Sequence, residues 1–542
     1  MLSSPVQVLA LEPRESAPEQ QDSPLLPASE EWLSQQDPAT RLLLPSEIPQ
    51  MIWVEEFRVE GSTVFSPEDL TETLRPFLQR PLTFTDLLEA RSTLTALYVD
   101  NGYITSRAIL PPQTLEEGVV RLQILEGGYE DILIEGLQRL QPGYVRQQLR
   151  PYTQTPLNIN RLLTGLQQLQ LDPLVETVSA DLSAGLRVDQ SLLQVAVVEA
   201  DSFAVSLALD NDRTPTVGSL QRSLTIQEAN LSGWGDSLRL VYRNTEGSNV
   251  QEASYSRPLS ARGTRLHLTY NRSLGDIVER PFAQADIRGQ AEAVILTLQH
   301  PVLQQANQEL NLGLSGVWES SATSLLGIPA PLSLEGDEQG RTRLRSLRFF
   351  QEWSLQNPRS AVAVRSELRW GLGILGATQN AVPPDGRYLV WRGQAQWSRL
   401  LGPETLMLLR LKAQTADRRI PVAEKFTLGG RTTVRGYRQD LYLGDGGFIA
   451  GVEVYLPLYR HPEGDQRLQI IPFVDVGSTW NYPGGATIDP ATLAAAGLGL
   501  SWEGNSVSAR LDWGIPLVDV SSQGTRTWQE RGIHFSLSTQ FF

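Results

Sequence analysis

From about residue 203 to the end of the chain, apolar and polar residues alternate with a period of two. Leu238, Leu240 and Tyr242, for example, alternate with Arg239 and Arg243. This period is typical of β-strands with one apolar and one polar face. About sixteen such segments begin near residues 203, 220, 236, 250, 264, 285, 309, 341, 360, 388, 405, 448, 466, 493, 506 and 533. A soluble β-sandwich also alternates, but an even number of long segments favours an all-β transmembrane barrel of about sixteen antiparallel strands over residues 201–542.

The composition agrees with a barrel in a membrane. The sequence has no run of eighteen apolar residues, so this chain would need a closed barrel to cross a bilayer with its backbone hydrogen bonds satisfied. Tryptophans near predicted strand ends suit interfacial girdles: Trp234, Trp318, Trp391 and Trp480. The net charge of −15 argues against a nucleic-acid partner, and we expect contact with outer-membrane lipid. Only Lys412 and Lys425 are lysines among 46 basic residues, which suits a polar lumen or simply reflects a GC-rich genome.

The first 200 residues follow different patterns. Residues 1–50 contain eight Pro and eight acidic residues against two Arg, so we expect a disordered, Pro-rich segment and linker, with a short helix near residues 28–36. Residues 51–127 then show the order β-α-α-β-β, with predicted strands at 51–60, 103–110 and 119–125 and a helix start at Ser66-Pro67. Residues 128–200 repeat this order. Both units resemble periplasmic POTRA domains.

Signatures of catalysis are scarce. The four His residues have no metal-ligand spacing, and the sequence lacks Cys, a Gly-x-Ser-x-Gly elbow and a phosphate-binding loop ending in Gly-Lys-Ser/Thr. Gly371, Gly373 and Gly376 match a dinucleotide-binding pattern, but they follow an alternating strand instead of opening a βαβ unit. Residues 210–212 are more typical of a polar turn than of a Ca²⁺ site. We therefore expect no enzymatic activity, no metal and no cofactor.

A long segment over residues 418–447 separates two predicted strands, and a loop of this length is usually functional or disordered. Gly429-Gly430 and Gly436 indicate sharp turns, with Arg435 as a cation between them. A loop folded into a lumen would need a carboxylate for Arg435. Asp475 is the lone charge on an apolar strand, and because the outside of the strand faces lipid, this side chain must face inward.

These residues form two motifs. The loop contains Phe426-x-Leu428-Gly429-Gly430 and Val434-Arg435-Gly436-Tyr437, and the later strand contains Phe473-x-Asp475-x-Gly477. Over residues 51–542 the chain resembles the outer-membrane transporters of two-partner secretion, the TpsB family, within the superfamily of outer-membrane assembly factors. The resemblance implies two POTRA domains and a sixteen-stranded barrel. It also implies a loop after strand 11 that enters the lumen, where Arg435 pairs with Asp475 of strand 13.

The resemblance also implies a function and partners. POTRA domains would capture an unfolded secreted exoprotein, of β-helical fold, and the barrel would translocate it without ATP. Capture by β-augmentation would use the edge strand near residues 174–182, with these candidate residues: Val175, Thr177, Val178, Ala180 and Leu182. The aromatic C-terminal strand, with Phe541 in the lipid-facing row, resembles a signal for the barrel-assembly machinery. A barrel-assembly factor is the alternative, although two POTRA domains favour secretion, and a passive porin would leave them unexplained.

Overall fold

The structure, a computed structural model, describes residues 51–541 apart from residues 115–117, 188, 261, 306, 463–465, 484–490 and 521–526. The Pro-rich segment 1–50, including the helix predicted near residues 28–36, lies outside the described residues. The described chain forms two compact units, an N-terminal α+β unit and a C-terminal β-barrel. No helix within the described ranges is long and apolar enough to cross a membrane.

The first part of the α+β unit is built from two helices and two small sheets. Its elements are β1 (Ile52–Val54), β2 (Glu56–Glu60), α1 (Pro67–Leu74), β3 (Arg80–Leu82), α2 (Phe84–Asp100), β4 (Arg107–Ile109) and β5 (Val119–Leu125). Strand β5 lies in the centre, parallel to β2 and antiparallel to β4, while β1 pairs with β3. Both helices begin with capping boxes, in which Ser66 and Thr83 each exchange hydrogen bonds with the Asp three residues later.

Two predicted strands of this part are shorter than the sequence indicated. The segment predicted at residues 51–60 is divided at Glu55, because the Gly118 carbonyl accepts hydrogen bonds from the amides of Glu55 (2.9 Å) and Glu56 (3.4 Å) where the chain changes partner strands. The strand predicted at residues 103–110 is reduced to β4. The Ser106 amide donates to the Tyr103 carbonyl at 3.0 Å, which turns the chain before β4 begins.

The second part has the order β-α-α-β-β, without counterparts of the short strands β1 and β3. Its elements are β6 (Gly128–Glu135), α3 (Pro142–Leu149), α4 (Ile159–Gln170), β7 (Val175–Ala184) and β8 (Gln190–Glu199). Strand β8 is central, parallel to β6 and antiparallel to β7. Within the described residues β7 pairs only with β8, so it is an edge strand whose outer backbone groups face away from the sheet.

The second unit is a closed antiparallel barrel of sixteen strands, as the alternation predicted. Barrel strands 1 to 16 are Phe203–Asp210, Gln221–Glu228, Ser237–Asn244, Ser248–Pro258, Arg265–Asp276, Arg288–Gln305, Gln308–Leu325, Arg341–Asn357, Ser360–Gly371, Tyr388–Leu400, Leu406–Ala416, Gly446–Arg460, Arg467–Trp480, Ala491–Glu503, Val507–Pro516 and Ile533–Phe541. Strand 16 closes the barrel on strand 1. A two-residue strand, Ile328–Pro329, pairs antiparallel with the end of strand 7.

The two faces of the barrel wall differ as the period-two pattern predicts. Outward-facing apolar side chains such as Leu240, Leu268, Leu296 and Leu411 are more than one-third exposed, as a surface that contacts lipid should be. The polar residues that alternate with them point into the lumen. Phe541 lies on the outer face, in the lipid-facing row that the sequence indicated.

Candidate functional site

The connection between strands 11 and 12 folds into the barrel. It contains a short 3₁₀ turn (Val422–Glu424) and a two-stranded ribbon in which Phe426–Leu428 pairs with Tyr442–Gly444. Leu428 and Val434 are fully buried, in a cluster with residues of the barrel wall: Ile449, Leu493 and Ala495. We call residues 417–445 the lumen loop.

Glycines allow the loop to turn and to approach the wall. Gly429, Gly430 and Gly436 have φ values of 105°, 103° and 92°, in the region that side chains with a Cβ rarely adopt. Beside Gly436 the wall also has a glycine, Gly514 of strand 15, and a Cβ added there would lie 2.6 Å from the Gly436 amide nitrogen. Gly477 has a similar role, since its added Cβ would lie 2.6 Å from Leu428 Cδ1. At both positions the loop therefore approaches the wall backbone closely.

Arg435 lies at the tip of the loop and is bonded to Asp475 of strand 13. Its Nε donates to Asp475 Oδ2 at 2.7 Å and its Nη2 to Oδ1 at 2.9 Å, a bidentate pair, and its backbone amide donates to Oδ2 at 3.2 Å. The side chains are 1% and 0% exposed. The guanidinium carbon lies 3.5 Å from the centroid of the Phe473 ring, a cation–π contact. The structure thus brings both motifs into direct contact.

The pair belongs to a larger cluster that sequence reasoning missed. Arg435 also contacts Glu453 of strand 12 at 2.9 Å and Asp512 of strand 15 at 3.5 Å. Arg410 and Arg510 bind the same carboxylates, at 2.7 Å and 3.0 Å from Glu453. Three cations thus face three anions, so the buried charges compensate one another. Glu453 interrupts an apolar segment as Asp475 does, and this signal could have identified it, whereas Asp512 follows Arg510 on its strand and gives no such signal.

Further contacts fix the loop beyond Arg435. The Tyr437 hydroxyl lies 2.8 Å from the Ala494 carbonyl oxygen and accepts a hydrogen bond from the Val518 amide at 3.1 Å. Arg431 donates from Nε to both carboxylate oxygens of Asp212, at 2.7 Å and 2.6 Å. The polar turn at residues 210–212 therefore provides a carboxylate for the loop.

A second buried charge of the loop is Glu424, which sequence reasoning also missed. Its carboxylate is 1% exposed and lies between three arginines of strands 8, 9 and 10, at 3.1 Å from Arg348, 2.7 Å from Arg369 and 3.2 Å from Arg392. The Tyr388 hydroxyl donates to it at 3.1 Å. Burial by itself raises the pKa of Glu424, but the three guanidinium charges outweigh burial and hold this pKa well below its ordinary value.

Comparison with known proteins identifies the class to which this architecture belongs. The sequence pattern described as "Haemolysin secretion/activation protein ShlB/FhaC/HecB" matches residues 189–502, and that of a "POTRA domain, ShlB-type" matches residues 52–127. The chain belongs to the ShlB/FhaC/HecB family. It is therefore a two-partner secretion transporter of the TpsB type, an outer-membrane β-barrel with POTRA domains in the periplasm, from a family of transporters and not of enzymes.

The alignments with similar proteins extend over most of this chain. The heme/hemopexin transporter protein HuxB of Haemophilus influenzae is 22% identical over 408 residues, 72% of this chain and 70% of HuxB. The outer membrane transporter CdiB of Escherichia coli is 24% identical over 487 residues, 86% of this chain and 79% of CdiB. A solved structure of CdiB from Escherichia coli superposes with a TM-score of 0.66 at 21% identity, covering 94% of this chain and 95% of that one. It shares the fold.

The candidate client-binding residues of this family member lie on β7, in the α+β unit. Val175 is buried, Val178, Ala180 and Leu182 are half-buried, and Thr177 is exposed. On the edge of β7 that faces away from β8, some backbone groups already form hydrogen bonds within the domain. Gln170, at the end of α4, accepts from the Val178 amide at 3.0 Å and donates to the Glu176 carbonyl at 2.7 Å.

Proposed function

We propose that this chain captures an unfolded secreted partner on its POTRA domains and moves it through the barrel without ATP. The observation that carries the proposal is that the lumen loop occupies a polar barrel and is held there by ion pairs, among them those of Arg435, Glu424 and Arg431. A loop held in this way can exchange its contacts for water or for a polar client. The sequence contains no phosphate-binding loop that would supply energy from a nucleotide.

The size and the polar lining of the free part of the lumen support the proposal that the client is unfolded. Beside the loop lies a cavity of about 710 Å³ with a mainly polar lining, which includes Gln227, Arg239, Ser254, Thr269, Thr297 and Gln299. A folded domain of 100 residues has a radius of gyration of about 13 Å and is far too large for this space. An extended segment carries its backbone polar groups with it and finds hydrogen-bonding partners along such a wall.

The free edge of β7 supports capture by β-augmentation. In an antiparallel strand, alternate residues direct their backbone groups away from the partner strand. Because the Val178 amide bonds to Gln170 on the outer side, the amides of Ala180 and Leu182 point outward as well. Gln170 occupies the first outward positions, so we propose that the client pairs with the edge from Ala180 onward.

The partner that we propose is a secreted exoprotein of β-helical fold, since a repetitive β-structure can form as the extended chain emerges. The proposal also includes the barrel-assembly machinery as a partner during biogenesis, supported by the aromatic terminal strand. HuxB is named as a heme/hemopexin transporter and CdiB as an outer membrane transporter, and this class of relatives supports the proposal of a secreted partner protein.

Replacement of Ala180 by Pro tests capture. The proline removes an outward amide but no hydrogen bond to β8, so the sheet should remain folded while the client loses a donor. The matched control is Ala180→Val, which has a similar size and keeps the amide. We expect Ala180→Pro to reduce both secretion of the co-expressed partner and retention of that partner by the purified full-length chain, with barrel assembly unchanged. Normal secretion by Ala180→Pro would mean that another surface captures the client.

A further inference from the structure

Two charged side chains of the lumen loop, opposite in sign and each 1% exposed, form ion pairs with residues of the barrel strands. Arg435 binds carboxylates of strands 12, 13 and 15, whereas Glu424 binds guanidinium groups of strands 8, 9 and 10. Among the described residues, the two share no hydrogen-bond or ion-pair partner. They therefore attach the loop to different arcs of the wall.

The contacts of Glu424 are more extensive than its three ion pairs. Its backbone carbonyl accepts hydrogen bonds from Arg392 Nη2 at 2.8 Å and from Gln414 Nε2 at 2.9 Å. Nearby, the Val422 amide donates to Glu335 Oε1, in the loop between strands 7 and 8, at 2.9 Å. Side chain and backbone of the turn are thus both bonded, so this turn has a defined position on the wall.

We propose that Glu424 is a second positioning residue of the lumen loop, which holds it on the arginine arc formed by Arg348, Arg369 and Arg392. This arc carries the loop's base while the acidic arc around Asp475 carries its tip. Release of the loop uncovers both arcs, so a client passing through would meet cationic side chains on one part of the wall and anionic side chains on another. The consequence for a client rests on the proposed function, but the anchor itself does not.

How strongly Glu424 holds the lumen loop in place can be measured in planar bilayers without a client. A variant lacking residues 420–446 defines the conductance of a barrel without its loop, and the measured quantity is the fraction of time that the intact chain spends at that level. We expect Glu424→Gln, which keeps the side-chain shape and removes the charge, to raise this fraction about tenfold, equivalent to about 1.4 kcal/mol. The matched control is Glu292→Gln. Glu292 pairs with Arg272 at 3.4 Å, an ion pair between two wall strands that involves no residue of the loop.

A double-variant cycle separates anchoring from general loss of stability. Glu424→Gln and Arg369→Gln disrupt one interaction, so their combination should raise the fraction less than the product of the single effects. Glu424→Gln and Arg435→Gln disrupt separate anchors, so their effects should multiply. If Glu424→Gln does not assemble, Glu424→Asp, which keeps the charge but shortens its reach, should still raise the fraction above that of the wild type.

Two results would overturn the proposal. One is a fraction for Glu424→Gln equal to that of Glu292→Gln. The other is a purely multiplicative combination of Glu424→Gln with Arg369→Gln. Failure of the proposed function would appear differently, as normal anchoring in bilayers together with no client secretion by the unmodified chain.

Discussion

Arg435→Ala is the most informative change at the tip of the lumen loop. It removes the bidentate bonds of 2.7 Å and 2.9 Å to Asp475, the 2.9 Å contact with Glu453 and the stacking on Phe473. Asp475 stays fully buried, and the nearest remaining cation is Arg410 at 3.8 Å. The variant therefore leaves a carboxylate in the wall without adequate compensation.

The magnitude follows from this geometry. Removal of one partner from a buried ion pair costs roughly 3–5 kcal/mol, whereas an exposed pair contributes about 0–1 kcal/mol. We expect the lower end, about 3 kcal/mol, because Arg410 can move closer to Asp475. At about 1.4 kcal/mol per factor of ten, the ratio of released to docked loop should rise roughly 100-fold.

The assay is the fraction of time at the loop-free conductance level, defined by the variant lacking residues 420–446. Asp475→Ala should raise this fraction as well, and the double variant should raise it clearly less than the product of the two single effects. Arg435→Lys should not restore the wild-type value, since a lysine lacks the planar fork. Independent effects of Arg435→Ala and Asp475→Ala, or an unchanged conductance after the verified loop deletion, would refute the reasoning.

Two further predictions concern the close contact between Gly514 and the backbone of the lumen loop, and the effect of pH on the docked loop. Gly514→Ala should prevent the tip from docking, because the added Cβ would lie 2.6 Å from a loop amide nitrogen, and the loop-free level should become more frequent. The control is Ile515→Ala, at the neighbouring outward-facing position, which should not have this effect. Because the pKa of Glu424 is lowered, the stabilisation that its ion pairs give to the docked loop is fully present above the ordinary carboxyl pKa. This stabilisation is lost only as the pH falls through the lowered pKa. The difference in loop-free fraction between Glu424→Gln and the wild type should therefore be constant from about pH 5 to 8 and should shrink in stronger acid, as bilayer recordings over a pH series would measure.

Sequence pattern was sufficient for the barrel because its wall has only two environments. Each residue faces either lipid or lumen, so the period of two recurs along the sixteen strands, interrupted by register shifts between Pro301 and Leu303 in strand 6 and between Pro457 and Tyr459 in strand 12. Asp475 was found for the same reason, since a lone carboxylate in an apolar strand has only one direction in which it can point. The partner of Asp475 came from the motif in the loop.

Glu424 could not be found in this way. It lies in a loop, where no periodicity indicates burial, and its partners are three among 44 arginines, which precede it by 76, 55 and 32 residues on three consecutive strands. Their convergence depends on how neighbouring strands are staggered, which one sequence does not reveal. The division of the predicted strand at Glu55 has a similar cause, because the partner strand changes through tertiary pairing.

The most direct test of the account is photo-crosslinking along one barrel strand while the co-expressed partner protein is being secreted. On strand 6, Thr297 lines the lumen cavity and its neighbour Leu296 faces outward, 41% exposed. A photoreactive amino acid at position 297 should crosslink to the partner, and the same group at position 296 should not. Crosslinks to the partner at position 296 without any at position 297 would contradict passage through the barrel.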